Sequence, residues 1–467
     1  MQAKTILKFI NAIIASLALI CIIFPNDGID LFGTSLKFPS IAEVIELPND
    51  SIINEDAPQA IIEKRKSDLE IAQENEFLSF CKDNPARFFM PGNDVSYLDA
   101  FFKLLDNAKD NHVRIMHYGD SQLECDRISC DLRSRFQEQF GGLGVGLIPV
   151  QQTIATYTLS QITSPNEVSR GLVYGAPENR VSHGRYGIMG QVTRTSGTTK
   201  VKVTGLDKKY PISSKFQRIS VCARSGSFSV STADTVCKLK NIGESKNSVY
   251  TVILPEPVKK ATITLSGDAE VYGIMLDGTT GVSIDNIPMR GCSGTMFTNI
   301  DSLSMVPFFK NENVGLIILQ YGGNSVPYLK SDKSIESYKK SIKKQILLFK
   351  QLAPTAKILF IGPADMATRQ NGKMQTYPQL EKIVNALREA ANESGAAFWD
   401  MYLAMGGHNS IVQWVKARPQ LAGPDHIHFT QKGAKEISEI LYNTFQLYYK
   451  FYRYRNGIDE ITNNSKK

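Results

Sequence analysis

At 467 residues the chain is long enough for two or three domains, and its 42% hydrophobic and 21% charged residues exclude an intrinsically disordered protein. The formal net charge of +7 is spread along the sequence, with no arginine cluster interleaved with aromatic residues, which argues against nucleic-acid binding. The seven cysteines include no Cys-x-x-Cys pair and no histidine at metal-ligand spacing, so we expect no metal and no cofactor.

The N-terminal segment, residues 1–26, predicts a membrane anchor or an export signal. Residues 9–26 carry no charged side chain, and Lys4 and Lys8 precede them. An uncharged run of this length is near the lower limit for a membrane-spanning helix, and the lysines favour a cytoplasmic N-terminus. We interpret the segment as an uncleaved inner-membrane anchor that places the rest of the chain in the periplasm. A cleaved signal peptide is the second alternative, and a buried helix is the third.

Residues 27–85 are interpreted as a linker that leads into a docking helix. Prolines interrupt the first part, whereas residues 57–80 place apolar side chains near the helical period. A second amphipathic helix is predicted over residues 97–105. It belongs to the first part of an α/β domain, which we place at residues 86–154.

A candidate nucleophile follows the first predicted strand, residues 113–116, at the turn Gly119-Asp120-Ser121. A helical pattern then runs from residue 122 to about residue 140. A strand that passes through a glycine turn into a helix is how α/β enzymes present a nucleophilic serine. The start of the helix also offers free N–H groups to negative charge. Ser121 is therefore a candidate nucleophile, and the alternative is an ordinary N-cap serine.

Residues 155–285 predict an inserted β-sandwich. Thr, Ser, Val and Gly dominate this segment, and alternating apolar residues replace the helical spacing. The spacing of the predicted strands favours a sandwich that lies over or beside the site of Ser121. Its role is either scaffolding or carbohydrate binding. The predicted strands are 201–204, 228–231, 249–254 and 261–265, and the candidate sugar-binding aromatics are Tyr157, Tyr174, Tyr186 and Phe228.

The cysteines leave two alternatives open. In an oxidising compartment, Cys222 and Cys237 are placed to bridge a hairpin, although six exported cysteines allow fifteen pairings. Small buried thiols are the other alternative, and we favour it for Cys125, Cys130 and Cys292.

Strands and helices alternate again over residues 286–450, the second part of the α/β domain. Such alternation implies a parallel sheet between helical layers. Residues 451–467 are interpreted as a polar tail. The predicted strands are 314–320, 357–362 and 396–400, and the predicted helices are 335–351, 378–392 and 432–449.

Two loops in this second part carry further candidates. Asn324 follows a predicted strand, where its side-chain amide is placed to donate to an oxyanion, and a plain turn residue is the alternative. Asp425 and His428 stand three residues apart, so that one loop carries a base and the carboxylate that orients it. His408 is a weaker candidate base, because no carboxylate stands at a comparable local spacing.

The order of these motifs resembles the SGNH subgroup of the GDSL hydrolases: GDSQ at 119–122, GGN at 322–324 and DHIH at 425–428. The resemblance covers roughly residues 110–155 and 285–445. It implies an α/β, flavodoxin-like, three-layer fold with a parallel sheet, here with the inserted β-sandwich and the N-terminal anchor. The third family block often ends in aspartate where this chain has Ser325, and that aspartate is not the catalytic acid.

The resemblance also implies roles for individual residues. Ser121 is the nucleophile, His428 its base and Asp425 the orienting acid. The oxyanion hole consists of Ser121, Gly291 and Asn324, and the supporting residues are Gly119, Asp120 and Gly322.

The large β insertion, the predicted export and the DHIH ending resemble in particular bacterial peptidoglycan or polysaccharide O-acetylesterases. The implied function is a serine esterase that removes O-acetyl groups from a cell-envelope glycan. An O-acetyltransferase that acts on an exported polysaccharide uses the same residues, and a non-catalytic glycan-binding assembly protein is the third alternative. The implied partners are an acetylated glycan and the inner membrane, with a membrane-bound acyltransferase as a further candidate.

Overall fold

The computed structural model describes residues 29–31, 34–36, 75, 77–165, 168–233, 235–242 and 248–458. The predicted anchor, most of the predicted linker and docking helix, and residues 459–467 of the predicted tail lie outside these ranges. No helix of the described residues has the length and apolar character needed to cross a membrane. In the N-terminal unit, strands Ile29–Leu31 and Thr34–Leu36 pair with each other in antiparallel fashion.

The other elements belong to a second compact unit, residues 73–467. Counting the N-terminal pair as β1 and β2, its strands are β3 (Phe88–Phe89), β4 (His112–Gly119), β5 (Gly146–Ile148), β6 (Leu159–Ser164), β7 (Ser169–Leu172), β8 (Gln191–Thr195), β9 (Thr198–Gly205), β10 (Phe216–Ala223), β11 (Ser227–Ser231), β12 (Val236–Lys238), β13 (Lys240–Asn241), β14 (Ser248–Val258), β15 (Lys260–Ser266), β16 (Ala269–Asp277), β17 (Gly281–Pro288), β18 (Val314–Gln320), β19 (Lys357–Ile361), β20 (Ala367–Gln370), β21 (Lys373–Thr376) and β22 (Ala397–Trp399). Its α-helices are α1 (Asp99–Asp106), α2 (Ser129–Phe140), α3 (Val306–Asn311), α4 (Asp332–Leu352), α5 (Leu380–Glu393), α6 (Met401–Ala404), α7 (Ser410–Lys416) and α8 (Gln431–Arg455).

The central sheet has the strand order β17-β4-β18-β19-β22-β3. Its strands are parallel from β17 to β22, and the two-residue β3 runs antiparallel at one edge. The predicted parallel sheet is therefore mixed. Apolar side chains of α1, α2 and α8 belong to the core on one face, and those of α4 and α5 to the core on the other. Because both faces are covered, every residue of β18 is buried, as in other three-layer α/β sheets.

Two antiparallel sheets account for the strands between β4 and β17. One has the order β13-β14-β10-β16-β8-β7, with β5 also paired to β16, and the other has the order β12-β11-β15-β9-β6. Val203 and Ile263 of the second sheet share one apolar cluster with Ile219 and Ile274 of the first, so the two sheets enclose a common core. This matches the predicted sandwich arrangement. A separately folding insertion over residues 155–285 stays a prediction.

The first antiparallel sheet is tied to the central sheet by packing and by charge. Tyr272 of β16 shares a core cluster with Tyr118 of β4. The fully buried Arg114 of β4 pairs with Asp277 at the end of β16, and also with Asp285 at 2.6 Å and with Glu312 at 3.2 Å. Buried charges are tolerated only when they are paired in this way. The ion cluster therefore holds β16 against the central sheet.

Several sequence predictions can be compared directly with the structure. The predicted strand 314–320 is confirmed as β18, whereas the last helix continues to Arg455, so the predicted polar tail begins inside α8. The Cys222–Cys237 bridge is not formed, because both are free thiols on strands of different sheets. Cys130 and Cys292 are buried, but Cys125 is partly exposed, since its backbone leaves the expected helix.

Candidate active site

Ser121 stands at the carboxyl end of β4, where the chain leaves the central sheet. Gly119 ends the strand, and a Cβ there would lie 2.8 Å from Leu123 Cδ1, so any larger residue would have to displace the Leu123 side chain. The Asp120 carboxylate accepts a hydrogen bond from the Gln122 N–H at 2.9 Å, which caps the 3-10 turn Ser121–Asp126. The turn that the sequence predicted is therefore present.

The helix predicted from residue 122 begins only at Ser129. Glu124 has an extended ψ of 153° and Cys125 a positive φ of 62°, so the chain leaves helical geometry between them. The Asp126 carboxylate holds this kink, because it accepts hydrogen bonds from Arg133 at 2.7 Å and from Thr158 at 2.8 Å. Ser121 therefore begins a short 3-10 turn, and the helix starts at Ser129, seven residues after its expected start.

A compact loop before α8 carries the other two triad candidates. The Gly423 N–H donates to the His428 carbonyl at 2.7 Å, and Ala422 forms a β-bridge with Phe429. Thr430 then caps α8 by accepting from the Gly433 N–H at 3.2 Å. The loop is thus anchored on both sides of His428.

Ser121, His428 and Asp425 form a continuous hydrogen-bonded chain. Ser121 Oγ lies 2.7 Å from His428 Nε2, and His428 Nδ1 lies 2.7 Å from Asp425 Oδ2. An ionised carboxylate can only accept, so Nδ1 carries the proton and Nε2 is left to accept from the serine hydroxyl. This is the tautomer that a serine–histidine pair needs for proton transfer.

Asp425 is positioned by more than the imidazole. Its Oδ1 accepts from the N–H groups of Ile427 at 3.0 Å and of His428 at 3.1 Å. Partial burial raises the pKa of this carboxyl group, but the hydrogen bonds from the His428 ring and from both N–H groups outweigh burial, and the net pKa lies below its usual value. Asp425 therefore stays ionised and keeps orienting His428 at neutral pH.

Gln122 is a buried residue for which the sequence indicated no individual role. Its Nε2 donates to the Ile427 carbonyl at 2.7 Å, and its Oε1 accepts from the Phe429 N–H at 3.3 Å. The Gln122 amide thus forms one hydrogen bond to the backbone on each side of His428. The available signal was an amide directly after the candidate nucleophile, but its partners lie about 300 residues away and no local pattern indicates them.

Asn324 lies near the Ser121–His428 pair. It sits in the 3-10 turn Gly323–Ser325 after β18 and lines the same cavity, of about 190 Å³, as Ser121 and His428. Its Nδ2 donates to the Cys292 carbonyl at 3.1 Å, which fixes the amide. A Cβ on Gly322 would lie 2.9 Å from Pro363, so this turn requires a glycine.

Two other sequence candidates lie outside this cavity. Gly291 is exposed, with a φ of 74°, on a loop that the Met289 N–H ties to the Gly119 carbonyl at 2.7 Å. It adjoins the site without lining the cavity of Ser121. His408 is exposed and does not line the cavity either. The structure therefore brings together Ser121, Asn324, Asp425 and His428.

Asp120 adds a buried carboxylate beside the nucleophile. Burial raises its pKa to about 6, against the lowering effects of the Gln122 N–H and of the charge on His428. At neutral pH the group is thus ionised and favours positive charge on the imidazole. Among the described residues, no group of three or more His, Cys, Asp or Glu side chains is placed to hold a metal ion.

Residues 267–436 match the model of the GDSL-like lipase/acylhydrolase family. This range contains Asn324, Asp425 and His428, whereas Ser121 lies before it. No curated protein matches the chain.

Among solved structures, a peptidoglycan O-acetylesterase is similar with a TM-score of 0.63 and 19% identity, over 77% of this chain and 99% of that one. The acetyl xylan esterase AlAXEase matches with a TM-score of 0.26 and 13% identity, over 35% of this chain and 80% of its own. The acetylxylan esterase Axe2 from Geobacillus stearothermophilus matches with a TM-score of 0.26 and 15% identity, over 36% of this chain and 73% of its own. The first likeness shows that the two proteins share a fold.

The family match and the shared fold lead to the same assignment. Residues 267–436 form a GDSL-like acylhydrolase domain, and the chain shares its fold with a peptidoglycan O-acetylesterase.

Proposed function

We propose that this hydrolase removes O-acetyl groups from a cell-envelope glycan, with peptidoglycan as the first candidate. The proposal is carried by the hydrogen-bonded chain from Ser121 through His428 to Asp425, which opens into a cavity that Asn324 also lines. The similar solved structure is that of a peptidoglycan O-acetylesterase, which supports the choice of glycan. Tyr328 adds support, because its side chain is 79% exposed and lines the same cavity, where an aromatic ring is placed to stack on a sugar.

In the proposed reaction, Ser121 Oγ attacks the carbonyl carbon of the acetyl ester while its proton moves to His428 Nε2. The N–H of Ser121 and the amide of Asn324 donate hydrogen bonds to the oxyanion, and Gly291 stays a predicted third donor. The ester C–O bond then breaks, and His428 returns the proton to the sugar oxygen. A water molecule, deprotonated by the same histidine, attacks the acyl-enzyme and releases acetate.

The test measures acetate released from 4-nitrophenyl acetate and from O-acetylated peptidoglycan. Ser121→Ala and His428→Ala should each lower kcat on the order of 10⁴-fold or more, and the double variant should be little worse than either single variant. Asp425→Asn should cost less than either, because the imidazole remains but loses its orientation.

His408→Ala is the matched control and should retain wild-type turnover. If it lost turnover while His428→Ala kept it, the assignment of the base would be wrong. A sugar acceptor that gained acetyl groups while little acetate appeared would identify a transferase that uses the same residues.

We also propose that the chain is exported and held at the inner membrane by residues 1–26, with the catalytic unit in the periplasm. The support is the uncharged run that follows Lys4 and Lys8. An alkaline phosphatase fusion after Lys467 should be active, because this reporter folds only outside the cytoplasm. An inactive fusion, together with an active cytoplasmic reporter at the same position, would contradict the placement.

A further inference from the structure

A second cavity, of about 330 Å³, lies between the central sheet and the antiparallel sheets. Glu124 lines it from the same 3-10 turn that begins at Ser121. Three residues span at most about 10 Å, so this wall of the cavity lies close to the candidate nucleophile. Gln161 of β6, Arg170 of β7 and Gln191 of β8 also line the cavity.

The charges that line this cavity are not balanced. Arg290 Nη1 lies 3.6 Å from Glu124 Oε1, which is longer than a hydrogen bond, and the Arg290 side chain is 74% exposed. Arg170 forms no ion pair with any residue that the structure describes. Asp126 and Arg133 pair with each other at 2.7 Å and cancel. Apart from the Asp126–Arg133 pair, the lining therefore contains two guanidinium groups and one carboxylate, which leaves a net positive charge.

Glu124 also has an unused acceptor. Its side chain is only 12% exposed, and within the described part of the chain its buried Oε1 has no hydrogen-bond partner. A buried carboxylate oxygen without a donor is costly, so a bound group that donates there stabilises it. The remaining lining combines hydroxyl and amide groups with apolar side chains, as is usual in small-molecule sites: Thr156, Tyr174, Gln191, Leu172 and Met189.

We propose that this cavity binds a carboxylate-bearing sugar residue of the glycan, next to the sugar whose acetyl ester reaches Ser121. This inference rests on the proposed esterase function. The carboxylate pairs with the guanidinium groups of Arg170 and Arg290, whose planar donors match a carboxylate. A sugar hydroxyl or acetamido N–H donates to Glu124 Oε1. The carboxylate has two sources, the lactyl group of a muramic acid that carries no stem peptide and the C6 carboxylate of a uronic acid.

The test titrates the full chain with two matched pairs of sugars and measures the affinity for each sugar by ligand-observed NMR. N-acetylmuramic acid is compared with N-acetylglucosamine, and glucuronic acid with glucose. In at least one pair the acidic sugar should bind about tenfold more tightly, because charge-assisted hydrogen bonds are stronger than neutral ones. A preference in the first pair alone assigns the lactyl carboxylate, and one in the second pair alone assigns a uronate.

Arg170→Gln and Arg290→Gln should each reduce this preference, and the double variant should remove it. Arg180→Gln is the matched control, since Arg180 is exposed and lies outside the cavity lining, and it should keep the preference. Equal binding of acidic and neutral sugars, no binding of any sugar, or a preference that survives the double variant would each overturn the proposal. Hydrolysis of 4-nitrophenyl acetate by the wild type is scored separately, because its absence contradicts the esterase function whatever the sugars do.

Discussion

At the scale of single residues, Asp120 shows how the site uses a buried charge. Its carboxylate caps the turn that presents Ser121, and its charge lies near His428. At neutral pH the ionised group favours the imidazolium that forms when the serine proton is transferred. Desolvation of the ionised group in turn destabilises the fold, so this contribution to catalysis is made at the expense of stability.

The Asp120→Asn variant should reveal that destabilisation, because its free energy of unfolding should depend on pH differently from that of the wild type. Burial raises the folded-state pKa from 3.8 to about 6, so the folded protein binds the proton more tightly than the unfolded chain does. The stability that this group contributes is full below about pH 4 and is lost as the pH rises through about 6. The loss amounts to roughly 3 kcal/mol, at about 1.4 kcal/mol for each pKa unit.

Denaturant titrations between pH 4 and pH 7 measure this effect as the difference in unfolding free energy between the wild type and Asp120→Asn. The wild type should lose stability relative to the variant over that range. Asp285, whose pKa burial also raises to about 6, is present in both proteins and cancels. Parallel pH curves for the two proteins would show that Asp120 titrates normally.

At the scale of elements, the catalytic geometry depends on how the His428 loop is held against the turn after β4. The local loop bonds fix its shape, but only contacts between the two elements fix the distance from His428 Nε2 to Ser121 Oγ. Gln122 supplies two such contacts, one on each side of His428. It is therefore a positioning residue, which acts through the histidine.

Gln122→Ala should lower kcat about 10- to 100-fold and leave KM within about twofold. Each lost hydrogen bond is worth about 1 kcal/mol, and a small misplacement of the base slows proton transfer. Gln122→Glu keeps the acceptor for the Phe429 N–H but loses the donor to the Ile427 carbonyl, so it should restore part of the rate.

Gln351→Ala, a change of the same type at an exposed position near the end of α4, is the control and should leave kcat unchanged. An unchanged kcat in Gln122→Ala, or an equal loss in the control, would remove Gln122 from the positioning machinery. The unfolding midpoint of each variant separates a loss of rate from a loss of stability.

At the scale of the whole molecule, the antiparallel sheets and the α/β part share both apolar core and buried charge. Arg114 faces three carboxylates in a fully buried cluster that joins β4 to β16. Such a cluster is weak evidence for added stability, but removing one member leaves uncompensated charge behind. We therefore expect residues 73–467 to unfold as one cooperative unit.

Arg114→Met should lower the free energy of unfolding by about 3–5 kcal/mol, because Asp285 loses its ion-pair partner and Arg218 alone is left to pair with Asp277 and Glu312. Tryptophan fluorescence reports the α/β part, where Trp399 and Trp414 lie, and far-UV circular dichroism reports all sheets. The two signals should change together in the wild type. Two separate transitions would instead support an independently folding insertion over residues 155–285.

Lys259→Met is the control for this substitution. Lys259 pairs with Asp207 on the exposed surface, where ion pairs contribute little, so the unfolding transition should hardly move. A large effect of this variant, or none of Arg114→Met, would contradict the assignment of the buried cluster as the link between the sheets.

The amino-acid sequence by itself determined the features that depend on neighbouring residues. The apolar run of residues 314–320 has no polar face, so it indicates a fully buried strand wherever it lies. The three-residue spacing of Asp425 and His428 lets one loop hold both groups whatever the rest of the chain does. Each of the GDSQ, GGN and DHIH motifs also consists of neighbouring residues, so their order indicated the resemblance to the SGNH group from the sequence alone.

Only the tertiary structure decided the features that depend on contacts between distant residues. Ser121 and His428 are 307 positions apart, and their 2.7 Å contact exists because β4 and the loop before α8 meet at one end of the central sheet. The helix after Ser121 begins late because the Asp126 carboxylate accepts hydrogen bonds from Arg133 and Thr158. Helical periodicity does not encode these two contacts. The two hydrogen bonds between Gln122 and the His428 loop also join distant parts of the sequence. Hydrophobic periodicity and turn chemistry report local conformational preference, whereas the packing of distant elements sets the distances on which catalysis depends.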